Sequence, residues 1–275
     1  MSVLNRRQLL GVMGGAALGS VAGSLLAAPR EAHAGIEPET APFSWKPHIL
    51  DPKEVAPLAH QGFYHQGYGC GYGVFVATVG LMGKKFGDPY KSFPFSMMEM
   101  GKSGVSEYGS LCGALLGAVA ALALFWGRKD RDPLVHELFR WYETTAFPIY
   151  MPPDTLKDGM KGNLPTSVSD SVLCHVSVSR WSISSGLPAM SAERSERCAR
   201  LTTDVAIKVT ELMAARIGGT FTNVLAPSDT AKHCYTCHGD DPKKFTSPNL
   251  KGKMDCQPCH TGSQAVANKM KDHPS

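Results

Sequence analysis

Two Cys-x-x-Cys-His pentapeptides near the end of the chain, Cys234-Tyr-Thr-Cys237-His238 and Cys256-Gln-Pro-Cys259-His260, constrain it more than any other feature. Each has the pattern of a covalent c-type haem attachment site. The cysteine pair binds the vinyl groups of the macrocycle, and the adjacent histidine stands beneath the iron as proximal ligand. Structural zinc is the competing use of a Cys-x-x-Cys pair. A tandem only 22 residues apart, in a chain that also carries an export signal, points instead to two haems c per chain. Cys234, Cys237, Cys256 and Cys259 are then the covalent anchors, with His238 and His260 proximal.

The export signal occupies residues 1–34. Arg6-Arg7 directly precedes an apolar, Gly/Ala-rich run through Ala28, and Ala32-His33-Ala34 reads as a cleavage site. Twin arginines indicate the Tat route and a periplasmic address, which agrees with haem c attachment outside the cytoplasm. An uncleaved signal acting as a membrane anchor is the alternative. Removing residues 1–34 takes three of the 28 basic and one of the 24 acidic residues, leaving a net charge of +2. That gives no basic face for nucleic acid.

The mature chain divides into three stretches. Residues 35–59 hold Pro38, Pro42, Pro47, Pro52 and Pro57 and are expected to form an extended arm. Residues 60–226 are apolar with helical spacing, which predicts a mainly α bundle. Phe75, Val79 and Met82 mark one helix, and Tyr108 to Gly127, which has no charge, marks a second. The second is long enough to span a bilayer. Its Ala, Gly and Leu content fits a buried core helix better, with Gly113 and Gly117 allowing close approach of a neighbour. Asp132-Pro133 predicts the start of a third helix, with a Leu134, Leu138, Tyr142 stripe. Residues 167–182 leave strand and helix equally open. Ser191 to Ile217 is the clearest helix, with a buried stripe of Cys198, Leu201, Val205, Val209 and Leu212.

Residues 227–275 contain few large apolar side chains, with seven lysines and five aspartates from 228 onward. Such a segment cannot build its own core, so it is expected to wrap its haems as a small, irregular dihaem-binding region. Lys243, Lys244, Lys251 and Lys253 could dock an acidic redox partner protein, although Asp240, Asp241 and Asp255 offset most of their charge.

Six-coordinate haems need distal ligands. Of the spare histidines His48, His60, His65, His136, His175, His233 and His273, the pair His60 and His65 flanks an aromatic, Gly-rich stretch and is the leading candidate. Cys70, Cys112, Cys174 and Cys198 remain. Burial as free thiols, two disulfides and an iron–sulfur cluster are all open on spacing, and the Tat signal, which carries folded proteins, favours the cluster.

Taken together, these residues resemble the split-Soret cytochromes c of sulfate-reducing bacteria over roughly residues 60–265. The helical region is similar to a wider family marked by four spaced cysteines and a Gly-Cys-Ala-x-x-Gly motif. Cys70 in Gly69-Cys70-Gly71, Cys112 in Leu111-Cys112-Gly113, Cys174 in Leu173-Cys174-His175 and Cys198 in Arg197-Cys198 take the four positions. Residue 111 is leucine, residue 113 is glycine and Gly117 falls one position late for the strict motif. The resemblance implies a homodimer with two stacked haems per subunit, bis-histidine ligation and one ligand shared between subunits. It also implies a non-haem iron–sulfur centre, of [2Fe–2S] type, at Cys70, Cys112, Cys174 and Cys198. The expected function is electron transfer. The alternatives are a terminal oxidoreductase acting on a nitrogen or sulfur oxyanion, which would need an open iron, and a redox sensor or scaffold.

Overall fold

The computed structural model describes residues 43–154, 159–239 and 253–260, so the expected signal at 1–34 lies outside the described residues. Asp51 opens the first helix, α1 (Pro52–Tyr64): its carboxylate accepts from the Lys53 amide at 2.8 Å, and Pro52 stands in the first turn, where no amide is required. The extended arm expected over 35–59 therefore stops before Pro52. Pro57 lies inside α1 and forfeits one ladder bond. Burial of Val55, Ala56, Ala59 and Phe63 along the same helix offsets that loss.

α2 (Gly69–Phe75), a π-helical turn (Val76–Gly80) and α3 (Leu81–Phe86) follow one another without a break and end at Gly87, whose φ is +77°. Phe75, Val79 and Met82 are buried, as their spacing predicts. α4 (Gly113–Phe125) is the uncharged helix. Ala114, Leu115, Ala118, Ala121 and Leu122 are fully enclosed, while Leu116, Val119, Ala120, Ala123 and Leu124 form a half-buried apolar face. Among the described residues, no helix is long and apolar enough to cross a membrane. A Cβ at Gly113 would lie 1.6 Å from the Gly101 carbonyl oxygen, and one at Gly117 would lie 2.4 Å from that of Gly71. Gly117 brings α4 against α2, and Gly113 brings it against the 3-10 segment Phe95–Gly101, both at backbone contact distance.

α5 (Arg128–Thr144) begins more than a turn before the Asp132-Pro133 start expected from sequence. Its first turn closes on the Gly127 carbonyl, which accepts from the Asp130 and Arg131 amides, so Pro133 falls inside the helix. Leu134, Leu138 and Tyr142 are fully buried, as expected. The ambiguous 167–182 stretch contains both forms. β1 (Ala146–Phe147) pairs antiparallel with β2 (Ser167–Val168), and α6 (Cys174–Ser185) follows, ending at Gly186 in the left-handed conformation.

α7 (Ala192–Ile217) is the central element and packs against α1, α2, α4 and α5. The Ser191 hydroxyl accepts from the Arg194 amide at 3.1 Å, and the Cys198, Leu201, Val205, Val209, Leu212 stripe is buried. Two short helices carry the haem motifs. α8 (Asp229–His238) is capped by Ser228, and α9 is Gln257–His260. The architecture is mainly α, as the sequence predicts.

Candidate metal centres

The four spaced cysteines converge. Cys70 lies in the first turn of α2, Cys112 caps α4, Cys174 opens α6 and Cys198 lies in the second turn of α7. The joins are backbone bonds: the Cys112 amide donates to the Val172 carbonyl at 2.9 Å, and the Cys174 amide donates to Ser110 at 2.7 Å. A Cβ on Gly113 would lie 3.2 Å from Cys70 Cβ, which brings the first two cysteines to one place. Burial pushes the Cys70 thiol well up, and Cys198, Cys112 and Cys174 each push it further. Burial also raises Cys112 and Cys174, and each of these thiols is raised again by its cysteine neighbours. In the metal-free chain these groups are neutral thiols, and a metal would displace their protons.

All four are free thiols, which removes the two-disulfide reading. Among the described residues, no three of His, Cys, Asp or Glu close on one point to hold a single ion. Four neighbouring thiols, three of them buried, are a donor set of the type that holds an iron centre.

Around the thiols lies a polar shell that spacing alone did not reveal. The Tyr142 hydroxyl lies beside the Cys112 thiol, whose rise it moderates, and donates to Ser177 Oγ at 3.1 Å. Arg197 donates from Nη2 to Ser177 Oγ at 2.9 Å, and its Nη1 stands 3.9 Å from Cys198 Sγ. Arg197, Tyr142 and Ser177 are all buried. Burial works against the Arg197 charge, but Cys198, Tyr142 and Cys112 more than restore it. α7 is enclosed on every side from Glu196 to Ala206, so Glu196 and Arg200, opposite charges spaced i, i+4 beside Cys198, are buried with it.

His60 is fully buried, and its Nε2 lies 3.1 Å from Glu196 Oε1. The same carboxylate accepts from Tyr64 Oη at 2.6 Å, the Met160 amide at 3.1 Å and Arg200 Nε at 2.6 Å. Burial pushes Glu196 up, but the bonds from His60, Tyr64 and Arg200 bring it down to about 2. His60 is thus committed to a core ion network, with Nε2 facing a carboxylate. This corrects the expectation that His60 and His65 act as one pair of distal ligands. His65 is exposed and stacks on Tyr72 with ring centroids 5.4 Å apart. His175 and His233 are also exposed, His48 stacks on Phe86, and His136 donates to the Leu225 carbonyl at 2.9 Å. His273 lies outside the described residues.

In the haem-motif segment, Cys234, Cys237 and His238 occupy positions i, i+3 and i+4 of α8, which places all three on one helical face. Cys256 immediately precedes α9, which contains Cys259 and ends at His260. The donor types and their spacing fit a covalently held haem at each helix. The two helices are tied by Ser228 Oγ donating to Asp255 at 2.5 Å and by Tyr235 Oη donating to the Met254 carbonyl at 3.3 Å. Cys234 and Cys256 lie in contact, and burial together with Cys234 pushes the Cys256 thiol up to about 11.

α5 connects the two regions. Glu137 accepts from the Val224 and Leu225 amides at 3.0 and 2.9 Å, and Arg140 Nε donates to the Ala226 carbonyl at 3.0 Å. Glu143, paired with Arg140, accepts from the Asp255 amide next to Cys256. The adjacent residue, Tyr142, is the one that touches Cys112. One turn of α5 therefore contacts both candidate centres.

Comparison with known proteins agrees with this geometry. Residues 70–212 match the family described as "Putative redox-active protein (C_GCAxxG_C_C)", so the departures at residues 111, 113 and 117 do not remove the chain from it. The chain is 45% identical to split-Soret cytochrome c of Desulfovibrio desulfuricans over 98% of its own length and 99% of the relative's. It is also similar to a solved structure of split-Soret cytochrome c from Desulfovibrio desulfuricans ATCC 27774, described as having a novel iron centre. The identity there is 49%, with a TM-score of 0.77, and the match covers 85% of this chain and 97% of that one. The chain belongs to the split-Soret cytochrome c family.

Proposed function

We propose that the chain is a Tat-exported periplasmic dihaem cytochrome that passes electrons without transforming a substrate. The observation that carries this reading is the pair of Cys-x-x-Cys-His motifs on two tethered helices, α8 and α9, in a chain of this family. The haems supply reversible one-electron chemistry when bound. Cys234, Cys237 and His238 hold one, and Cys256, Cys259 and His260 hold the other. Distal histidines close each iron to substrate, and of the His60 and His65 pair it is exposed His65 that the fold leaves available for such a role, alongside exposed His175 and His233. The protein works as a homodimer in which one distal ligand crosses between subunits, and a redox protein is its partner.

Cys70, Cys112, Cys174 and Cys198 hold a [2Fe–2S] cluster, two thiolates to each iron. Support comes from the four thiols that the fold brings into mutual influence, and from the iron centre described in the related structure. The chain's own residues do the rest. α4 and α6 present helix N-termini to Cys112 and Cys174, which favours their anionic forms, and enclosure by α7 excludes water.

The test is an optical and EPR redox titration with an iron count on the purified exported protein. Two haems per chain, a divided reduced Soret band, iron above the haem iron and no rapid carbon monoxide binding are expected. Fast, stoichiometric carbon monoxide binding to the ferrous haems would overturn the closed-site reading in favour of an oxidoreductase.

A further inference from the structure

We infer that Arg197 is the buried counter-cation of the four-cysteine centre, a positioning residue that sets both its affinity for metal and its reduction potential. This rests on the reading of those cysteines as an iron–sulfur site. Arg197 is 1% exposed and, among the described residues, no carboxylate comes within ion-pair distance of its guanidinium. The neighbouring cation Arg200 contrasts with it, being paired with Glu196 and bonded to the Met160 and Gly162 carbonyls. Arg197 has instead a hydroxyl on Nη2, a thiol facing Nη1 and no partner on Nε.

A buried cation without an anion costs several kcal/mol, and a buried donor without an acceptor adds to that. Asp204 on the same helix feels Arg197, but burial raises it to about 7 and its oxygens bond the Ile149 and Tyr150 amides. Arg197 still calls for an anion in contact with its guanidinium, and an iron centre ligated by four thiolates is such an anion. The residue is also held in place from both sides. Ser177 on α6 bonds both Arg197 and Tyr142, and Tyr142 on α5 contacts Cys112. Arg197, Ser177 and Tyr142 thus form a closed collar running from Cys198 to Cys112 around one side of the site.

Two consequences follow from the sign of the charge. Reduction adds an electron to an already anionic centre, so a fixed cation favours the reduced form and raises the potential. Metal binding creates the anion, so the same cation favours the loaded protein and penalises the metal-free one.

The experiment compares wild type with Arg197→Met and Arg197→Lys as haem-loaded exported protein. A dithionite titration followed by EPR reads the four-cysteine centre, and the haem potentials serve as internal reference. In R197M the centre should shift to a more negative potential while both haems stay where they are, and R197K should recover part of the shift. After chelation of non-haem iron, R197M should melt above wild type, and the rise in Tm on iron loading should shrink. An unshifted potential in R197M with full iron occupancy and native circular dichroism would overturn the role of Arg197. If R197M does not accumulate, R197K carries the test, since its ammonium lacks the planar fork that reaches Ser177 and Cys198 together, and a centre potential equal to wild type in R197K with full iron occupancy would overturn the role of Arg197. Wild type lacking any iron beyond its haems would defeat the cluster reading itself, and Arg197 with it.

Discussion

Cys70, Cys112, Cys174 and Cys198 come together from α2, α4, α6 and α7, whereas each haem motif occupies five consecutive residues at α8 or α9. The first region is held by enclosure. Leu115, Leu122, Leu138, Leu201 and Val209 belong to the same buried core as Cys70, Cys112 and Cys198, and α4 meets α2 at Gly117. In the second region, among the described residues, polar bonds from Ser228, Tyr235 and Arg140 tie the segment together and to α5. A site assembled from distant segments needs a rigid apolar frame to keep its geometry. A site written into one helical turn does not, and its cofactor can contribute the apolar surface that the segment lacks.

Removing a haem should separate the two regions most sharply. The double variant Cys234→Ala, Cys237→Ala is expected to fall from two haems to one per chain by pyridine haemochrome assay, while the far-ultraviolet circular dichroism of the helical unit is retained. Loss of both haems and of the helical signal together would mean that the two regions are not independent in this way. Gly113→Ala should do the reverse. Its new methyl meets the Gly101 carbonyl at 1.6 Å, so about 3 kcal/mol of stability should be lost in denaturant unfolding, with non-haem iron lost before haem.

Glu196→Gln belongs to the same frame. It leaves Arg200 buried without its anion, and an effect of similar size, about 3–5 kcal/mol, is expected for breaking a buried pair, while the Soret spectrum stays unchanged. Asp204 offers a gentler perturbation. Its carboxylate accepts from the Ile149 and Tyr150 amides at 2.9 and 2.7 Å, and burial pushes it up to about 7.

An acid with a raised folded-state pKa binds its proton more tightly in the folded chain. The contribution of Asp204 is therefore complete below about pH 4 and is lost as pH rises through 7, with a slope of up to about 1.4 kcal/mol per pH unit. Asp204→Asn should flatten that part of the stability curve, measured by urea unfolding from pH 4 to 8. The smallest effect belongs to the surface: Lys85→Ala, which breaks the exposed pair with Glu54, should change stability by about 0.5 kcal/mol or less.

Local chemistry made much of this legible in advance. The haem motifs, the Ser191-capped helix and its buried stripe, the uncharged core helix with Gly113 and Gly117, and the Leu134, Leu138, Tyr142 face all depend on residues within a few turns of one another. The same local reasoning failed at prolines. Pro52 and Pro57 suggested an arm and Pro133 a helix start, yet α1 and α5 run through these positions because first-turn bonds to Asp51 and Gly127 and the burial of their apolar faces outweigh one missing ladder bond. It failed again at His60, which spacing grouped with His65 and packing placed against Glu196.

By itself, then, the sequence determined the two Cys-x-x-Cys-His motifs, the mainly helical class and the four cysteines set apart from them, because each is a matter of residue type and short spacing. Only the tertiary structure decided that those four cysteines meet, that Arg197, Ser177 and Tyr142 surround them, and that one turn of α5 touches both regions. Those facts depend on which helix faces bury one another. That choice is made by close packing over the whole unit, and no short window of sequence contains it.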